Sequence, residues 1–173
     1  TAAFGLPLLN RLAKETPPNG PRKPRALILV PTRELAVQVA ESLKSYGRHL
    51  RLNVTTIYGG AGMQPQIEQL RRGVDILVAT PGRLLDHHGQ RTLDLSQVEI
   101  FVLDEADRML DMGFIHDIKK VLAIVPAKKQ SLLFSATFSD DIKALADRLL
   151  NQPALIEVAR RNATADTVAQ RVY

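Results

Sequence analysis

The run VLDEADRML (102–110) places three carboxylates, Asp104, Glu105 and Asp107, directly after the apolar stretch EIFVL (99–103). If that stretch is a strand, Asp104 stands at its tip, where a carboxylate can hold a Mg²⁺ that bridges the β- and γ-phosphates of a nucleotide. The adjacent Glu105 could then orient or deprotonate an attacking water. The same residues also suit a plain acidic helix start, because Asp and Glu favour the positive end of the helix dipole. Taken alone, the run leaves both readings open.

Three further strand ends carry polar groups. SLLF (131–134) runs into SATFSDD, so Ser135 and Thr137 put hydroxyls beside the acidic tip, within reach of Asp107 or its surroundings. Ser139 reads as an N-cap, with Asp140 and Asp141 in the first turn that follows. ALILV (26–30) runs into PTRELA, where Thr32 can cap a helix and Arg33 lies at its positive end. An arginine is electrostatically misplaced there unless a phosphate is bound, which both the helix N-terminus and the guanidinium would favour. DILVA (75–79) runs into TPGR with the same logic: Thr80 as cap, Pro81 at the first helical position, Gly82 permitting close approach, Arg83 as cation. Two such turns on one sheet edge suit a phosphodiester backbone, whereas each alone is matched by a merely capped helix. Gly59, Gly60 and Gly62 follow TTIY, with a spacing that does not fit a dinucleotide fingerprint. They read either as a plain glycine turn or as a place where backbone approaches a phosphate.

Asp86, His87 and His88 raise a rival, metal-dependent phosphoester hydrolysis. Adjacent histidines on a helix diverge, however, and a helix C-terminus near Gly89 is the better reading.

These residues need a frame that brings strand tips together. The four apolar runs do not alternate with polar residues, which marks strands covered on both faces, as in a parallel sheet. NVTTIY (53–58) and LIEVA (155–159) are weaker strand candidates. Helical stripes lie between them: Leu35, Val39, Leu43 and Tyr46; Met63, Ile67 and Leu70; Ile115, Ile118, Val121, Leu122 and Val125; Ile142, Leu145, Leu149 and Leu150. Alternating strands and helices predict an α/β fold with an open, mostly parallel, doubly wound sheet and helices on both faces. Ligands of such sheets bind beyond the carboxyl ends of the strands. Residues 15–25, ETPPNGPRKPR, read as an exposed loop. The 173 residues, 45% hydrophobic and 24% charged, fit one globular domain. No run is apolar for a membrane-spanning length, and no signal-peptide pattern opens the chain. Without cysteine, disulfides and thiolate metal sites are excluded. A net charge of +5 permits a polyanionic partner without establishing one.

With these motifs in place, the sequence resembles the first RecA-like domain of the DEAD-box ATP-dependent RNA helicases. PTRELA resembles motif Ia, Gly59-Gly60 the GG element, TPGR motif Ib, DEAD motif II and SAT motif III, in family order along the whole chain. VLDEADRMLDMGFIHDIKKVL and LLFSATFSDDIKALADRLL look closest to a bacterial RhlE-type subgroup. The resemblance implies a RecA-like P-loop NTPase fold, ATP and Mg²⁺ as cofactors, and RNA bound through its backbone with little sequence preference. It implies Mg²⁺ coordination by Asp104, largely through water, and Glu105 as the catalytic base. It implies coupling of nucleotide state to closure by Asp107, Ser135 and Thr137. Pro31, Thr32, Arg33, Gly59, Gly60, Thr80, Pro81, Gly82 and Arg83 would contact RNA.

TAAFGLPLL, at the start of the chain, resembles the helix that follows the family's P-loop. Thr1 then matches the Mg²⁺-binding threonine, with Phe4, Leu8, Leu9 and Leu12 packing on the sheet and Pro7 tolerated as a kink. Residues 1–159 correspond to a partial N-terminal RecA-like domain that lacks the P-loop strand. Residues 160–173 correspond to a linker and the start of a second RecA-like domain. The stretch contains no GxxxxGK[ST] loop and no arginine finger, so these residues alone are expected not to hydrolyse ATP. A non-catalytic RNA- or partner-binding module is the alternative. A gap beside the SLLF strand predicts that LIEVA is displaced, that the chain self-associates, or that it belongs to a longer one. The resemblance also implies a cytoplasmic, monomeric parent with accessory partners from RNA degradation or ribosome assembly, and no membrane.

Overall fold

The computed structural model describes residues 1–17 and 19–158. The expected linker at 160–173 lies outside them. Five strands form one parallel sheet: β1 (Ala26–Leu29), β2 (Val54–Ile57), β3 (Ile76–Ala79), β4 (Ile100–Leu103) and β5 (Gln130–Leu133), in the order β2-β3-β1-β4-β5. Seven helices connect or flank them: α1 (Ala2–Lys14), α2 (Arg33–Tyr46), α3 (Met63–Arg71), α4 (Pro81–Gly89), α5 (Ala106–Asp111), α6 (Ile115–Ile124) and α7 (Asp140–Leu149). None of these helices is long and apolar enough to cross a membrane.

The lack of alternation in the strand sequences has the expected cause. β1, β3 and β4 are buried along their whole length, because both faces of the sheet are covered. Ile28, Val78 and Val102 pack with Phe4, Leu8, Leu9 and Leu12 of α1 and Ala36, Val39 and Leu43 of α2. Leu27, Leu77 and Phe101 face the other way, against Leu84, Met109, Ile118, Val121, Ile142 and Leu145 of α4 to α7. Burying each such side chain contributes about 1.5–3 kcal/mol, so the two layers dominate the stability of the fold. Pro7 does not break α1: the helix continues to Lys14 with Pro7 exposed. Gly5 and Gly47 let α1 and α2 approach closely, since a Cβ on Gly5 would stand 3.0 Å from Leu43 and one on Gly47 3.1 Å from Leu9.

One expected outcome for the last strand appears, and two details depart from the sequence reading. LIEVA is displaced and forms no strand in its described residues: Leu155, Ile156 and Val158 are 63%, 82% and 87% exposed, leaving β5 as a sheet edge with no partner on that side among the described residues. The loop 15–25 is not exposed throughout, because Pro24 and Arg25 are buried under the sheet. The Arg25 guanidinium reaches Glu15 and Glu99 at 3.3 Å each and so ties the end of α1 to the foot of β4. In α2 the buried face is Ala36, Val39, Ala40 and Leu43, with Leu35 half-buried and Tyr46 exposed.

Candidate nucleotide and nucleic-acid site

Register decides which loops share the carboxyl edge. Ile57 pairs with Ala79, Ala79 with Leu29, Leu29 with Leu103 and Leu103 with Leu133. Each ladder then extends by one hydrogen bond: Thr80 N to Ile57 O (3.1 Å), Val30 N to Ala79 O (3.0 Å), Asp104 N to Leu29 O (3.0 Å) and Phe134 N to Leu103 O (2.9 Å). Tyr58, Thr80, Val30, Asp104 and Phe134 therefore form one row. The segments that leave it are Gly59-Gly60, Pro81-Gly82-Arg83, Pro31-Thr32-Arg33, Glu105 and Ser135.

Asp104 is largely buried. Burial raises its pKa above the ordinary carboxylate value and the neighbouring Glu105 carboxylate adds to that, while a hydrogen bond from Glu105 N pulls it back down. That bond, to Oδ1, measures 3.0 Å. The Phe4 ring of α1 lies 5.3 Å from that of Phe134, so the first turn of α1 sits by the β5 end of the row. A desolvated carboxylate is a hard oxygen donor, which suits Mg²⁺ held partly through water. No group of three or more carboxylate or imidazole ligands forms among the described residues, so any divalent ion there would need ligands from solvent or nucleotide.

Glu105 adopts a left-handed backbone, φ 52° and ψ 52°. Only glycine takes that conformation without cost; for other residues it costs about 1–2 kcal/mol. It turns the chain sharply between β4 and α5. The Glu105 carboxylate is paired with Arg108 Nη1 at 3.3 Å, and both side chains are substantially exposed.

The expected link from Asp107 to Ser135 and Thr137 is absent: among the described residues no hydrogen bond joins them. Ser135 Oγ instead accepts from Thr137 N at 3.4 Å, and backbone joins the two tips, Ala106 N donating to Phe134 O at 2.9 Å. Ser139 caps α7 as expected, accepting from Ile142 N at 3.3 Å.

On the other half of the edge, Thr32 caps α2 by accepting from Leu35 N at 3.2 Å. Arg33 is exposed, with its guanidinium carbon 5.0 Å from the centre of the Tyr58 ring. Pro31 is buried beneath it. Thr80 takes the N-cap position of α4 but its hydroxyl makes no cap bond; Pro81 occupies the first turn. A Cβ on Gly59, Gly60 or Gly82 would meet nothing within 4 Å, and Gly60 has φ +77°, which requires glycine. Open space therefore lies above all three.

Arg83 does not stand free. Its side chain is 14% exposed; Nη1 donates to Ala61 O at 2.8 Å and to Gln66 Oε1 at 3.2 Å, while Nε lies 3.8 Å from Asp86. His87 is fully buried and bonded by both ring nitrogens, Nδ1 to Thr92 Oγ1 (2.8 Å) and Nε2 to Gln66 Oε1 (3.0 Å). Asp86, His87 and His88 thus form no metal centre; His87 is a satisfied core histidine. The sequence reading missed Tyr58 and Gln66. Gln66 had a faint signal, as a polar residue next to Ile67 within the apolar stripe of α3.

A family model described as DEAD/DEAH box helicase matches residues 1–145. The chain is 48% identical over 179 residues to the ATP-dependent RNA helicase RhlB of Pseudomonas aeruginosa, covering 100% of this chain and 45% of that protein. It is 46% identical over 172 residues to the ATP-dependent RNA helicase CshA of Listeria monocytogenes, covering 98% of this chain and 32% of that protein. It thus spans between a third and half of the length of these relatives. A crystal structure of a DEAD box protein from the hyperthermophile Methanococcus jannaschii superposes with a TM-score of 0.82 at 44% identity, over 94% of this chain and 42% of that one. A yeast DEAD-box splicing factor gives 0.81 at 34% identity, over 88% and 37%.

Proposed function

The chain belongs to the DEAD/DEAH box helicase family, and on that premise we propose that it supplies one nucleotide-facing and RNA-facing sheet edge of an ATP-dependent RNA helicase. The observation that carries this reading is the register of the five strands, which puts the acidic tip of β4 in one row with the phosphate-suited turns after β1, β2 and β3.

At the acidic end, Asp104 and Thr1 would hold the Mg²⁺ that accompanies ATP. When bound, that ion neutralises charge on the β- and γ-phosphates. The strained turn at Glu105 presents its carboxylate just beyond Asp104, where it orients a water for attack on the γ-phosphorus and accepts its proton. Asp107, Ser135 and Thr137, which stand apart here, would pair in the closed, ligand-bound form, making their hydrogen bonds a consequence of nucleotide and RNA binding.

At the other end, Pro31, Thr32, Arg33, Gly59, Gly60, Thr80, Pro81 and Gly82 form the RNA face. Helix N-termini, one exposed guanidinium and bare glycine backbone recognise phosphates rather than bases, and so give affinity with little sequence preference.

Binding of a fluorescent single-stranded RNA of mixed sequence, titrated with KCl, tests this. Affinity is expected to fall log-linearly with salt, by about 0.7 log unit per phosphate contact for each decade of salt, and to weaken in Arg33→Gln. Binding that ignores both salt and Arg33 would sink the assignment. These 173 residues contain no GxxxxGK[ST] loop and are expected to hydrolyse no ATP by themselves; RNA-stimulated phosphate release from them would overturn that expectation.

A further inference from the structure

The glycine doublet is held from beneath by a buried polar network. Gln66 of α3 is 6% exposed, and its amide reaches three elements. Nε2 donates to Tyr58 O at 3.0 Å, and Oε1 accepts from Arg83 Nη1 at 3.2 Å and from His87 Nε2 at 3.0 Å. Arg83 Nη1 also donates to Ala61 O at 2.8 Å. The carbonyls on either side of Gly59-Gly60, those of Tyr58 and Ala61, are therefore each fastened, one by Gln66 and one by Arg83. A Cβ on either of the two glycines between them would meet nothing within 4 Å.

The orientation of the amide is fixed by its partners. Tyr58 O can only accept, so the Gln66 NH₂ must face it, and Oε1 must face the two donors. This places the hydrogen of neutral His87 on Nε2; the Thr92 hydroxyl, 2.8 Å from Nδ1 and 3.0 Å from His87 O, then gives its one hydrogen to Nδ1, while His87 O keeps Thr92 N at 3.0 Å. Every polar atom of the Gln66 and His87 side chains in this buried cluster then has a use, which is the condition under which such a network rigidifies its surroundings rather than weakening them.

We propose that Gln66 and Arg83 are positioning residues: they clamp the two carbonyls flanking Gly59-Gly60, and Arg83 serves RNA binding through that loop, not as a phosphate-binding cation. The purpose of the clamp rests on the RNA reading given above. Glycine pairs lose more conformational freedom on ordering than any other residues. A loop ordered in advance leaves less of that loss to be met when RNA binds. An arginine whose side chain is mostly buried and whose Nη1 serves two acceptors is suited to this work. A lysine has three donors, but on a flexible stem and without the rigid plane that holds both N–H groups of Arg83 Nη1 toward their acceptors.

Two readouts on the purified chain decide the matter. Without RNA, the backbone order parameters of residues 59–62 from nitrogen relaxation are expected to fall from the rigid range near 0.85 to below about 0.6 in Gln66→Met and in Arg83→Lys, with α2 unaffected. Unchanged order parameters in both variants overturn the clamp. With a single-stranded RNA probe, Arg83→Lys and Arg83→Gln are each expected to lose about three- to tenfold in affinity at every salt concentration. The slope against log[KCl] stays that of the wild type. The double variant with Gln66→Met falls no further than the weaker single. Arg33→Gln, by contrast, makes the slope shallower by about 0.7. If Arg83→Lys binds as wild type while Arg83→Gln flattens the slope by that amount, Arg83 is a phosphate contact and the proposal fails. Should Gln66→Met not fold, Gln66→Glu takes its place, keeping an oxygen for Arg83 and losing the donor to Tyr58. A wild-type chain that binds no RNA refutes the RNA assignment and the purpose of the clamp; the order parameters still judge the clamp itself.

Discussion

The guanidinium carbon of Arg33 stands 5.0 Å from the centre of the Tyr58 ring, so the first turn of α2 meets the end of β2 over one aromatic face. An arginine at a helix N-terminus is opposed by the dipole. The ring's negative face offsets part of that conflict and fixes the side chain at an exposed site beside Gly59. A cation over a ring in such a place is worth about 0.5–1 kcal/mol.

Tyr58→Leu is therefore expected to weaken RNA binding about two- to fivefold, the factor that energy converts to. Tyr58→Phe should bind as the wild type, because the ring and not the hydroxyl faces Arg33. Fluorescence anisotropy with one RNA probe compares the three proteins; equal losses for Leu and Phe would refute the role of the ring.

The acidic tip is held at a cost to stability. Glu105→Gly removes a side chain from a left-handed backbone and is expected to leave the unfolding free energy unchanged or raised by up to about 1 kcal/mol, after glycine's own entropy is set against the relieved strain. Asp104→Asn acts through charge. A carboxylate whose folded pKa is raised lends stability below its ordinary pKa of 3.8, and loses it as pH rises through the folded value. At pH 7 the neutral side chain should accordingly be tolerated or stabilising. Urea unfolding at pH 4 and pH 7 checks both variants. In any length of the protein that turns over ATP, both are expected to abolish turnover.

His87 carries a pH dependence of opposite sense. Burial first, and then the charge of Arg83, lower its pKa below 6.5, while Asp86 pulls the other way. Above pH 6.5 the ring is neutral in folded and unfolded chains alike and adds no slope. As pH falls below 6.5 the unfolded chain takes up a proton that the folded chain refuses, so stability declines until the lowered folded pKa is passed. The slope contributed by one such group is at most about 1.4 kcal/mol per pH unit. His87→Gln should show a flatter stability profile between pH 7.5 and 5 than the wild type, measured by thermal unfolding. Parallel profiles would show that His87 titrates unhindered.

Much of this was legible in the chain itself. ALILV, DILVA and EIFVL were recognisable as strands covered on both faces because both their faces are apolar; SLLF was recognisable as a strand but is only half-buried, because it lies at the sheet edge; and DEAD, SAT, PTRELA and TPGR each follow such a run. Thr32 and Ser139 were recognisable as caps because capping is a local contact spanning three residues. LIEVA was a weak strand candidate with displacement among its expected outcomes: its composition suits a strand, but a strand exists only where a neighbour offers hydrogen bonds, and none lies beside it in the described residues. Arg25 was taken as part of a polar loop because nothing local reveals that Glu15 and Glu99 converge on it from α1 and β4.

The sequence by itself determined the alternation of strands and helices, the family, and the chemical character of each strand end, since all of these rest on residue type and short-range spacing. Tertiary structure decided which groups are free to act. Whether Arg83 faces solvent or Ala61, whether His87 is a ligand or a buried joint, and whether Asp107 touches Ser135 depend on the register of strands about 20 to 75 residues apart and on the helices packed behind them. A one-residue change in that register would leave every motif intact and move each of these side chains to other neighbours.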